Sequence, residues 1–132
     1  MMSDHIHLWL GNNFQPEEEY MKYFEKDYST GGYFDDPGFK VCGFCKDIGH
    51  LTYDEDYIAI IPRKEKPVPI DDWLKEAYID DSEHARIKLI CERAGLKEAN
   101  TMLIYSDGDL SISEPYKENY NKLIYIGKFL ES

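Results

Sequence analysis

The sequence predicts an α+β fold: a mostly antiparallel sheet of four to five strands with three to four helices packed on it. Two observations carry that prediction. Apolar runs with strand character open, divide and close the chain, while helix-period stretches fall between them. Their order, β-α-(α)-β-α-α-β-β-β, also ends in consecutive strands, which favours antiparallel pairing. The 132 residues fit a single domain spanning 1–132, large enough to bury a core without disulfides or metal.

The opening HIHLWLG alternates as a strand, with Ile6, Leu8 and Leu10 on one face and His5, His7 and Trp9 on the other. Gly11-Asn12-Asn13 ends it. QPEEEYMKYFEKDY, residues 15–28, then reads as a helix. Pro16 suits its first position, Glu17, Glu18 and Glu19 favour the positive end of its dipole, and Tyr20, Tyr23 and Phe24 form its apolar stripe. Residues 29–39 form a loop rich in Gly, Asp and Pro. KVCGFCKDIG suits a short helix stopped at Gly49.

LTYDEDYIAIIP, residues 51–62, is the clearest strand, rich in aromatic and β-branched residues and ended by Pro62. RKEKPVP is a charged connector open to variation. IDDWLKEAYI predicts a helix from an Asp cap, with Trp73, Leu74 and Ala77 together. DSEHARIKLICERAG predicts another, capped by Asp81 or Ser82, with Ile87, Ile90, Cys91 and Ala94 inward and Gly95 as its stop. TMLIYSDGDLSIS reads as a hairpin turning at Asp107-Gly108, and NKLIYIGKFL as the last strand.

Composition narrows the function. The chain is 42% hydrophobic and 14% aromatic with eleven tyrosines, which excludes disorder. Its net charge of −11 is uneven: residues 1–62 hold 12 acids against 4 bases, residues 63–132 hold 14 against 11. Such a field repels nucleic acid and anionic lipid, and it attracts basic partners. No signal-peptide pattern and no long apolar segment is present, so no membrane partner is expected. Three cysteines without a mark of secretion fit reduced thiols in a bacterial-type cytoplasm.

The segment FCKDIGHLTYDEDYIAIIP concentrates the candidate chemistry. On a strand, Asp54 and Asp56 share a face about 7 Å apart, a carboxylate spacing found in inverting glycosidases. Any i, i+2 acidic pair on a strand has that spacing, and no supporting catalytic constellation accompanies it. Cys42, Cys45 and His50 open a zinc-like C-x2-C-x4-H spacing, but only Glu55, or Cys91 from a distant helix, is left as a fourth ligand. Calcium loops, nucleophile elbows and phosphate loops lack their required residues. No catalytic residue, metal or cofactor is therefore expected. Two readings of the acidic block stay open. Tyr53, Asp54, Glu55, Asp56 and Tyr57 could meet a basic partner, with Tyr supplying rigid area and carboxylates supplying steering. Alternatively the tyrosines are core residues and the acids guard a strand edge.

IHLWLGN, PEEEYMKYFE, FCKDIGHLTYDEDYIAI and LIYIGKFL, in this order, resemble the immunity protein 22 family of bacterial polymorphic toxin systems. The resemblance falls on Trp9 and Gly11, on Tyr23 and Phe24, on Phe44, Asp47, Gly49, Tyr53, Asp54, Asp56 and Tyr57, and on Ile126, Gly127 and Phe129. It implies a non-enzymatic protein that binds and neutralises a cognate toxin. The cysteines lie outside the family pattern, which weakens the alternative of a zinc-binding regulator or acid/base enzyme. A nuclease toxin must be basic to hold its substrate, and an acidic inhibitor would associate with it fast.

Overall fold

Strand β1 (His5–Gly11) is buried on both faces, and the rest of the molecule is built outward from it. The computed structural model describes residues 5–25, 42–49, 57–77, 79–106 and 120–130. Within them β1 pairs antiparallel with β5 (Thr101–Tyr105) on one side and β6 (Leu123–Leu130) on the other. β2 (Ile58–Ile60) joins the far edge of β5, giving the sheet order β2-β5-β1-β6. A small second sheet pairs β3 (Val68–Pro69) with β4 (Glu98–Ala99). The described helices are α1 (Glu17–Lys22), α2 (Gly43–Ile48), α3 (Ile70–Glu76) and α4 (His84–Arg93). The α+β architecture is the expected one.

Alternation along β1 feeds two cores. Ile6, Leu8 and Leu10 meet Met102 and Ile104 of β5, Ile126 and Phe129 of β6, and Trp73, Leu74, Ile87 and Cys91 of α3 and α4. Trp9 faces the other way, into Tyr20, Phe24, Phe44, Cys45, Ile48, Leu103, Tyr105 and Leu123. The sheet is thus a middle layer with helices on both faces. Full burial of one such side chain contributes about 1.5–3 kcal/mol, so a strand buried on both faces anchors the fold more strongly than a half-exposed one.

A β-bulge explains an irregular inward pattern in β6. Leu8 pairs with Gly127 and Trp9 with Tyr125, so one residue of β6 is left over between them. That extra residue shifts the alternation, and Phe129 rather than Lys128 turns to the core beside Ile126. Gly127 has φ +142°, open to glycine and strained for any side chain.

Several expected boundaries move. The helix of residues 15–28 is α1, with Pro16 as its N-cap and a turn at Tyr23-Phe24. Its described end has a tertiary cause: the Tyr23 carbonyl accepts the Phe44 N–H at 2.9 Å, so α2 takes the acceptor a longer helix would use. Of the strand 51–62, Ile58–Ile60 forms β2, and residues 51–56 lie outside the described residues. The predicted turn Asp107-Gly108 also lies outside them; both edges of Leu103–Tyr105 are taken, by β1 and β2. Helix α3 starts after Pro69 without a side-chain cap. Before α4 a 3-10 turn, Asp81–Glu83, is capped by Asp80, whose carboxylate accepts the Ser82 N–H at 3.1 Å. Ala94, expected inward, is exposed. The connector is not a free loop, since Arg63 is packed inward and Val68–Pro69 forms β3.

Glu83 ties the turn before α4 to the end of β6. Its carboxylate accepts the Leu130 N–H at 2.9 Å and Arg86 Nη2 at 2.9 Å. The Leu130 N–H above all, and then Arg86, hold this carboxyl below its ordinary value of 4.5. A lowered folded pKa stabilises above the unfolded value, and that stabilisation is lost as the pH falls through the folded one. Glu83→Gln should lower stability at pH 7 by at most about 1 kcal/mol, because solvent screens a surface group. Thermal unfolding across pH should show the variant and the parent converging in acid.

Candidate functional site

The segment after β1 is fixed by residues distant in sequence. The Asn13 N–H donates to Asn100 Oδ1 at 2.8 Å, and Asn100 Nδ2 returns a bond to the Asn13 carbonyl at 2.8 Å. Thr101 donates its hydroxyl to Asn100 Oδ1 at 2.6 Å, and Asn13 Nδ2 reaches the Asn121 carbonyl at 2.9 Å. Asn13, Asn100 and Thr101 are all buried, where a satisfied polar network rigidifies and a broken one is costly.

Arg63 closes this network. Its Nη1 donates to the Gln15 carbonyl at 2.6 Å and to Asn13 Oδ1 at 3.0 Å, while Nη2 pairs with Glu17 at 3.1 Å. The guanidinium lies 4.4 Å from the centre of the Tyr20 ring. Burial pushes the Tyr20 phenol up to about 12, against the opposing pull of Arg63. An arginine in the connector thus fastens the segment from Asn13 to Glu17 onto the sheet.

What this rigid segment displays is Phe14, which is 63% exposed between two residues held by hydrogen bonds. Beside it in sequence, α1 exposes Glu17, Glu18, Glu19 and Met21. Among the described residues, Glu18, Glu19 and Glu25 enter no ion pair. The acids of α3 differ: Asp71 faces Lys88 at 3.0 Å, Asp72 faces Lys75 at 3.9 Å, and Glu76 faces Lys64 at 2.9 Å. An exposed aromatic is therefore followed along the chain by the exposed carboxylates Glu18 and Glu19, which no described cation pairs. Sequence reading gave Phe14 no role. Its only signal was an aromatic standing alone between a buried strand and an acidic helix.

Of the acidic block, Tyr53, Asp54, Glu55 and Asp56 lie outside the described residues. Tyr57 is 44% exposed, and its carbonyl accepts the Ser106 N–H at 2.8 Å at the start of edge strand β2. It enters neither core, so the reading of Tyr57 as a core residue is corrected.

Of the residues that carry the family resemblance, Trp9, Tyr23, Phe24 and Phe44 meet in the second core, whereas Ile126 and Phe129 lie in the first. Trp9 and Phe44 meet edge-on with ring centres 5.5 Å apart, and Phe24 lies 5.7 Å from Phe44. The Tyr23 hydroxyl donates to Asp47 Oδ2 at 2.7 Å; burial, and then this bond, push the phenol far above its ordinary range. Gly49 ends α2 at φ +80° with its N–H on the Cys45 carbonyl. Cys42 and Cys45 flank the first turn of α2, whereas Cys91 lies in the core on the opposite face of the sheet. Cys91 therefore cannot join them as a ligand. His50 lies outside the described residues, among which no group of three metal-ligating side chains occurs.

A cleft of about 270 Å³ between α3 and α4 is lined by Ile70, Asp71, Lys88, Glu92 and Leu96. It is bridged by the Asp71–Lys88 ion pair and brings no nucleophile to a base. Among the described residues no helix is long and apolar enough to cross a membrane.

The layered sheet and helices define an α+β domain that exposes Phe14 on a hydrogen-bonded segment leading into the acidic helix α1. The chain belongs to the Immunity protein 22 family, whose sequence profile matches residues 6–131. Membership supports an immunity function and, in general terms, a toxin as partner. Comparison with curated proteins and with solved structures returns no significant match.

Proposed function

We propose that this protein neutralises a basic, nucleic-acid-cleaving toxin by binding it in the cytoplasm, without catalysing a reaction on it. The observation that carries this reading is the rigid Phe14 segment, followed in sequence by Glu18 and Glu19, which no described cation pairs. A fixed aromatic binds at low entropic cost, and surrounding like charges steer a basic partner. The segment Tyr53, Asp54, Glu55, Asp56 and Tyr57 extends the contact, on its composition and on the exposure of Tyr57.

Capture of the tagged protein from its native cells tests the partner directly. A basic polypeptide with a toxin domain at its C-terminus is the expected companion; an acidic one contradicts the charge argument. With that toxin in hand, Phe14→Ala should weaken binding by about 2 kcal/mol, roughly 30-fold, at unchanged thermal stability. Glu18→Lys with Glu19→Lys should slow association about tenfold in low salt and much less in high salt. Stopped-flow and calorimetric titration read both.

A further inference from the structure

Cys42 and Cys45 lie side by side, their Sγ atoms 2.7 Å apart. This spacing separates two chemistries. Two thiolates on a tetrahedral zinc with bonds of about 2.3 Å sit about 3.8 Å apart, whereas a disulfide brings sulfurs to about 2.05 Å. The observed pair is too close for a zinc edge and lies on the bond-forming side. The backbone agrees with the side chains. Cys42 is extended at φ −66° and ψ 161°, which turns its Sγ over the first turn of α2, where it accepts the Cys45 N–H at 3.3 Å. Cys42 is 8% exposed and Cys45 1%, so an oxidant reaches Cys42 first.

We propose that Cys42 and Cys45 form a dithiol that a small-molecule disulfide oxidises to an internal disulfide. The Cys42 thiolate attacks one sulfur of the oxidant, forming a mixed disulfide and releasing the first small thiolate. Cys45 then loses its proton and attacks the Cys42 sulfur, expelling the second. Two electrons pass from the cysteines to the oxidant, and the two cysteine protons end on the two small thiols. The bond closes over the turn that seats Phe44 against Trp9 and Asp47 against Tyr23, so it fastens the aromatic core at α2.

Cys91 is the internal control, since burial pushes its thiol up to about 11 and it lies across the sheet from the pair. Folded protein is incubated with excess 2-hydroxyethyl disulfide, quenched with an alkylating reagent and weighed by mass spectrometry. The expected product is lighter than the reduced chain by two hydrogens before alkylation. It keeps one alkylatable thiol of three, and digestion shows Cys42 joined to Cys45. Three alkylatable thiols, two stable adducts at Cys42 and Cys45, or about one zinc per purified chain would overturn the proposal. Cys42→Ser and Cys45→Ser should each abolish the mass loss; the parent measurement stands alone if either variant fails to fold.

Discussion

Trp9→Ala should cost about 3–5 kcal/mol, the largest loss expected from any single truncation in the aromatic core. The side chain is fully buried, and its ring lies 5.5 Å from Phe44, 6.0 Å from Tyr120 and 5.1 Å from Tyr125. These neighbours come from α2, the bridge before β6, and β6 itself, so they cannot collapse together into the space left behind. Domains of this size are stable by about 5–15 kcal/mol, and a loss of this order removes a large part of that margin. The indole N–H has no acceptor among the described residues, so hydrogen bonding contributes little to the expected loss. Trp9→Phe should therefore retain most of the stability. Chemical denaturation distinguishes the two variants, and equal losses would show that an aromatic ring smaller than indole does not support the core.

Arg63→Ala should cost about 2–4 kcal/mol and also loosen the segment that carries Phe14. The effect does not come from the ion pair, because Glu17 is 74% exposed and such a pair contributes less than about 1 kcal/mol. It comes from the bonds to the Gln15 carbonyl and Asn13 Oδ1 and from the stack on Tyr20. An ammonium cannot make that planar set of contacts, so Arg63→Lys should recover little. Hydrogen exchange should show faster opening at Asn13 and Gln15 in both variants, with the α4 amides little changed. Uniform acceleration through α4 would mean that Arg63 supports the whole fold and not this segment.

The parts legible in sequence were those written in local periodicity. The alternation of β1 and the inward faces of Trp73, Leu74 and Ile87 follow from patterns within single elements. The stop at Gly49 follows from one residue. What periodicity does not carry is which face a second layer covers. Trp9 and the other face of β1 are buried because aromatics from α1 and α2 arrive there, and no signal within HIHLWLG announces them. The early end of α1 is likewise set by a hydrogen bond from Phe44 to the Tyr23 carbonyl, from a separate helix later in the chain. The shift in β6 rests on Gly127, which sequence marks as a glycine without saying that a bulge surrounds it.

The candidate surface was legible as charge but not as a place. The excess acid of residues 1–62 points to a basic partner, and it holds two equal runs of three acids, Glu17–Glu19 and Asp54–Asp56. The setting of Phe14 is not legible in sequence, because its neighbours are held by Asn100 and Arg63, each dozens of residues away. A connector that reads as charged and variable proves to supply that arginine.

Neutralisation by stoichiometric binding is tested most directly by titrating the captured toxin's activity with this protein. Toxin activity should fall linearly to a sharp break at a fixed molar ratio, and Phe14→Ala should blunt the break at matched concentration. Complete inactivation of the toxin by a small fraction of an equivalent, increasing with time, would contradict binding as the mechanism and show turnover instead.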